Sequence, residues 1–147
     1  MATKPKKIAK SSKSPKADRQ GLLAEIERHR ATYVETFGAM PPSPGNRFEF
    51  SGEIDPEYLV RLEALRGHAM YSDVFDNKWS QMILFAVMLG EHNFDGAAAH
   101  AAAARRYGAS WKQLHKVVEL AATSVVVWRS NRGTNMLKAI RDREKGR

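Results

Sequence analysis

The chain has no cysteine. Disulfides, thiolate metal sites and thiol redox chemistry are therefore excluded. No run of about 18 apolar residues exists, so no transmembrane helix is expected. The basic N-terminus is not followed by an apolar stretch, which argues against a secretory signal. Residues 1–20 also lack the amphipathic patterning of a mitochondrial address, and the cytoplasm is the default expectation. Alternation of apolar and polar positions, the mark of a half-buried strand, never extends to a useful length. No repeat of fixed period recurs, and no glycine-rich phosphate loop is present. Net charge is also scarce outside one segment. Residues 1–20 hold seven Lys and Arg against Asp18 alone, so most of the net +8 sits there and the remainder is near neutral.

What is present reads as one domain, long enough for a core. Residues 1–20, rich in Lys, Ser, Pro and Ala, bury nothing and are expected to be a disordered basic tail. The tail reads as solubilising. The alternative is weak, salt-sensitive contact with a polyanion, and it carries no aromatic residue to stack on a base. Residues 21–147 are expected to form a single all-α domain of about six helices.

Periodicity and caps place those helices. Leu22, Leu23, Ile26, Tyr33, Val34 and Phe37 fall on one stripe of a helix ended by Gly38. Pro41, Pro42 and Pro44 form a breaker cluster, and Arg47–Phe50 reads as a short extended loop. Asp55-Pro56 opens a helix toward Met70. Lys78–Leu89 is apolar nearly all round and is expected to be buried. Asn93–Tyr107 is an alanine helix stopped by Gly108. Ser110-Trp-Lys-Gln113 is a capping box for a helix whose Val125–Val127 run carries some strand ambiguity. Ser130–Gly133 reads as a break, with Thr134 capping a last helix. Trp79, Trp111 and Trp128 read as core or interface anchors.

His100 stands alone among alanines, in Gly96-Ala-Ala-Ala-His100-Ala-Ala-Ala-Ala104. Alanine favours helix and lets neighbours approach closely. Between Asp95 and Arg105, His100 is the side chain able to exchange a proton near neutral pH. It is the candidate catalytic acid or base; the plainer alternative is a core histidine bonded to a neighbour. Glu91, His92, Asn93 and Asp95 lie on the approach to the same helix and could line a pocket mouth, or serve only at the helix start. Arg105, Arg106, Arg129 and Arg132 could bind an anion, or form a solvated face. The spacing of Glu91, His92, Asp95 and His100 matches neither a zinc helix nor a calcium loop, so no metal is expected.

The stretch Asn93–His100, continuing through Ala101–Ser110 to Gln113-Leu114, resembles the carboxymuconolactone decarboxylase family of the alkylhydroperoxidase D-like superfamily. Gly108, Ser110, Gln113 and Leu114 match the family's spacing after its histidine. Asp55–Tyr58 and Asp76–Leu84 resemble its approach to a long buried helix. The similarity covers roughly residues 50–145. The resemblance implies an alkylhydroperoxidase D-like helical domain that forms trimers or hexamers. It further implies cofactor-free acid–base chemistry, decarboxylation of a small cyclic carboxylate or lactone, with His100 as acid or base. Two departures stand out. The peroxidase branch carries two cysteines where this chain has Asn93 and Gly96, so thiol peroxidase activity is excluded. The family's glutamate at the buried helix is Gln81 here, and an amide orients a substrate but takes no proton. The expected site is thus His100 with Gln81, Glu91, His92, Asn93, Asp95, Arg105 and Arg132, in an enclosed chamber walled by small side chains. A non-catalytic relative that binds a small molecule or builds an assembly is the alternative, favoured by Gln81.

Overall fold

The computed structural model describes residues 19–146, and among these the chain is all-helical. Its elements are α1 (Arg19–Phe37), α2 (Pro42–Ile54), α3 (Pro56–Met70), α4 (Asn77–Gly90), α5 (Phe94–Arg106) and α6 (Trp111–Lys145). Six helices were expected and six are found, but two of them differ in kind. The expected tail over 1–20 lies outside the described residues as far as 18, while Arg19 and Gln20 begin α1.

Residues 47–50 are helical, which corrects the loop expected there. The proline cluster starts α2 instead of preventing it: Pro41 is its N-cap, with ψ 149°, and Pro42 follows in the first turn. First-turn N–H groups have no intrahelical acceptor, so proline costs little there. Phe48 then anchors α2, 2 % exposed and edge-on to Tyr33.

The break expected at 130–133 is absent, and α6 runs unbroken through Gly133 and Thr134. A single helix-interior glycine costs only about 1 kcal/mol relative to alanine, too little to end a helix that lacks proline. The valine run is helical, since no neighbouring strand offers it pairing. Beyond Val125 every described residue of α6 is exposed except half-buried Gly133. A Cβ added at Gly133 meets nothing within 4 Å. Gly133→Ala is expected to stabilise this half of α6 by about 0.5–1 kcal/mol. The checks are higher far-UV helical content and slower amide exchange across residues 129–137.

Two apolar clusters organise the packing. Ile26, Tyr33, Phe48 and Leu59 join α1, α2 and α3. Met82, Phe85, Ala97, Ala104, Ala109 and Leu114 join α4, α5 and the start of α6. The alanines let α5 lie close on α4, its principal neighbour. Helix α4 is not fully buried as its composition suggested: Ile83, Val87 and Trp79 are 44–48 % exposed, because α5 and α6 cover one side of it. Trp111 and Trp128 are more exposed still, so none of the three tryptophans is a core anchor within one chain.

The two clusters meet where α1 touches α5. Gly38, with φ +84°, ends α1 at that contact, against the flexible end of the Arg106 side chain. A Cβ there would come within 2.8 Å of the Arg106 guanidinium, and the left-handed backbone disfavours a side chain as well. No helix of the described residues is long and apolar enough to cross a membrane.

Candidate functional site

His100 lies at this seam. Its Nδ1 is 2.7 Å from Oε1 of Gln81 on α4, and its ring is edge-on to Phe37 of α1, 5.4 Å between centroids. An amide oxygen can only accept, so Nδ1 carries the proton and Nε2 the lone pair. The ring is half-buried, and burial, reinforced by the positive charge of Arg66, lowers its pKa to about 4. At neutral pH His100 is therefore a neutral imidazole. Gln81 is fully buried, and its Nε2 has no hydrogen-bond partner. A buried amide nitrogen without a partner, on the side chain whose oxygen holds an ionisable ring, marks a place where packing was not optimised for stability.

Beside it is a buried polar cluster that sequence reasoning missed. Glu63 of α3 is 0 % exposed. Its Oε1 accepts from Arg47 of α2 and from the Tyr33 hydroxyl at 3.2 Å, and its Oε2 is 3.6 Å from Arg66. Arg47 also donates to the Tyr33 hydroxyl at 2.6 Å. The Arg66 guanidinium lies 3.7 Å over the Tyr33 ring and donates to the Tyr71 hydroxyl at 3.3 Å, which shares a 2.8 Å bond with buried Thr36. Burial pushes the Tyr33 hydroxyl up to about 12, so it stays a donor to Glu63. Burial opposes the Arg47 charge, but its bonds to Glu63 and Tyr33 outweigh that effect and raise its pKa. Two guanidiniums thus share one carboxylate, leaving an excess positive charge at the seam beside His100.

One signal for this cluster was present in the sequence. Leu59, Leu62, Glu63, Arg66 and Met70 share helical spacing on α3, and a charged pair on an apolar stripe implies buried partners. Those partners, Tyr33 and Arg47, lie 30 and 16 residues away in the chain, beyond any local pattern.

Of the residues expected at the site, the structure brings Gln81 to His100. The others are exposed and have local roles. Glu91 is the C-cap of α4. His92 follows it with φ +58°; its N–H bonds Leu89 O, and that of Asn93 bonds Met88 O. That is a Schellman motif with His92 in the left-handed position usually held by glycine. Asn93 caps α5 by accepting from Gly96 N at 2.9 Å. Asp95 occupies the first turn of α5, where an acid suits the helix dipole. Arg105 donates to the Ala109 carbonyl and stacks over Trp111. Arg132 lies 5.6 Å from the Trp128 ring centroid, on the uncovered half of α6.

Among the concavities of the described surface are two of about 290 and 350 Å3. The first is lined by Thr134, Leu137, Lys138 and Arg141, the second by Asp55, Glu57, Tyr58 and Arg61. Neither is the small-residue chamber expected around His100. Of the alanines around His100, Ala97 and Ala104 are buried in the cluster that packs α5 against α4, while Ala98 and Ala102 are exposed. Among the described residues no three His, Asp or Glu side chains converge as a metal site would require. Compared with known proteins, the chain matches no family model, no curated protein and no solved structure.

Proposed function

We propose that this is a carboxymuconolactone decarboxylase-like protein carrying out cofactor-free acid–base chemistry on a small cyclic carboxylate or lactone, with His100 as the proton carrier. The observation that carries the reading is the His100–Gln81 bond, which holds a half-buried neutral imidazole with its Nε2 lone pair available. Arg66 supplies the second element. Its charge adds to the effect of burial in lowering the pKa of His100, and a carboxylate bound beside it would offset that second, smaller contribution. The minor protonated fraction of His100 is the form that donates, and the bound anion increases that fraction.

In decarboxylation the bond between ring carbon and carboxylate breaks and the electron pair stays on the lactone ring. The Nε2 proton is delivered to that carbon, carbon dioxide leaves, and imidazole is reprotonated from water. Gln81 keeps the ring oriented and takes no proton itself. In this reading the protein acts in the cytoplasm, in aromatic catabolism. It works as a homo-oligomer, trimer or hexamer, with the site near a subunit boundary. A boundary position suits a seam that one chain leaves without an enclosing wall.

The test is carbon dioxide release from carboxylated lactones. His100→Ala is expected to reduce turnover by at least about 100-fold, the usual contribution of a positioned acid–base group, with folding unchanged by circular dichroism. Equal rates in the two proteins would overturn the reading. A second reading, a non-catalytic binding or assembly relative, is favoured by Gln81 in place of a carboxylate. It predicts no turnover by the natural chain and the appearance of turnover in Gln81→Glu.

A further inference from the structure

The surfaces least explained by a single chain lie far apart in the sequence and carry opposite charge. The half of α6 from Val126 to Lys145 is 20 residues, about 30 Å of helix, with no tertiary cover. Trp128, Met136, Leu137 and Ile140 are 44–66 % exposed on it, interleaved with Arg129, Arg132, Lys138 and Arg141. Six cations face two acids along this segment, and Asp142 bonds both Lys138 and Arg141, one carboxylate for two cations. The junction of α2 and α3 is the complement. Phe50, Ile54 and Tyr58 are 54–69 % exposed. Around them Glu49, Glu53, Asp55 and Glu57 are exposed, offset by Arg61 alone, which is paired to Glu57. Both concavities belong to these surfaces: the one on α6 is lined by Leu137, Lys138 and Arg141, the other by Asp55, Glu57 and Tyr58.

We propose that the distal half of α6 docks on the acidic, aromatic α2–α3 junction of a second copy of this chain. The contact is head-to-tail, joining two different surfaces, so it can close a ring. It deepens the homo-oligomer reading above and rests on it. Exposed apolar area of this extent calls for a partner, and charge decides which one. Pairing α6 with its own copy would set six cations against six and is disfavoured. The basic segment 1–18 has the charge to meet the acidic junction, yet Ile8 is its one branched aliphatic side chain. It offers little to cover Phe50 and Ile54, and nothing to cover α6.

Sedimentation velocity of the full chain tests this without reference to catalysis. The natural chain is expected to self-associate, with affinity falling at least about tenfold from low to high salt as screening weakens the charge pairing. The triple variant Arg132→Glu, Lys138→Glu, Arg141→Glu is expected to be monomeric. So is Glu49→Lys, Glu53→Lys, Glu57→Lys. Mixed together, the two should associate, because an unaltered α6 on one meets an unaltered junction on the other. Ile54→Ser and Leu137→Ser, which leave charge untouched, should each weaken self-association. A monomeric natural chain overturns the proposal, as does a mixture that stays monomeric. Assembly lost only by the α6 variant would show α6 pairing with itself. Assembly lost only on deleting residues 1–18 would assign the contact to that segment. A negative carbon dioxide assay leaves the sedimentation result intact.

Discussion

Glu63→Gln is expected to destabilise the fold by about 3 kcal/mol, the low end of the cost of breaking a buried ion pair by removing one partner, because Glu63 is 0 % exposed while Arg66 and Arg47 keep 16 % and 34 % exposure. Glu63 is the one carboxylate shared by Arg47 and Arg66. The amide keeps the shape but leaves two guanidiniums facing a neutral group in low dielectric. For a domain of this size each kcal/mol moves the melting midpoint by about 3–5 °C, so a fall of at least about 10 °C is expected by calorimetry. The comparison that isolates burial is Glu57→Gln. Glu57 pairs with Arg61 on the surface, at 52 % and 73 % exposure, where such pairs contribute about 0.5 kcal/mol or less. A Glu63→Gln variant as mild as Glu57→Gln would mean that water reaches the cluster and that its charges are solvated. Replacing Arg47, Glu63 and Arg66 together by apolar residues should recover much of the loss, while removing the positive charge at the seam.

Acid destabilisation through His100 is the second large expected effect. The imidazole titrates at 6.5 when unperturbed and at about 4 in the folded chain, burial first and Arg66 second. Between those values the unfolded chain takes up a proton that the folded chain refuses, so stability falls as pH drops from about 6.5 to about 4. Below about 4 both states are protonated and this contribution is spent. The shift would correspond to roughly 3 kcal/mol for a dry site, and solvent screening of the half-buried ring reduces that to about 1–2 kcal/mol. His100→Gln, which preserves a partner for Gln81, should flatten that part of the pH–stability curve. An NMR midpoint near 6.5 for His100 would contradict the burial and remove the electrostatic basis of the proposed chemistry. Arg66→Met should raise the midpoint. Saturation with a small cyclic carboxylate should raise it in the natural chain and not in Arg66→Met.

Local signals sufficed wherever the relevant partner lay within a few residues. Asp55 and Ser110, read as caps from the sequence, cap α3 and α6 through bonds to the backbone three residues on, and Asp76 and Asn93 do the same for α4 and α5. The capping box at Ser110 and Gln113 is complete. Gly38 and Gly108 end their helices with positive φ. Local signals failed where two outcomes differed by about 1 kcal/mol and a distant contact decided. Prolines 41, 42 and 44 are equally compatible with a loop and with a helix start, and it is Phe48 against Tyr33 that settles α2. Gly133 weakens α6 without breaking it.

The all-helical class, the helix caps and the placing of His100 at a small-residue helix follow from the order of residues, because each depends on backbone geometry within one or two turns. The pairing of His100 with Gln81, the Tyr33–Arg47–Glu63–Arg66 cluster, and the half of α6 left bare were decided by the tertiary structure. Those depend on which helices meet, and burial and charge pairing act between residues close in space and far apart in the chain.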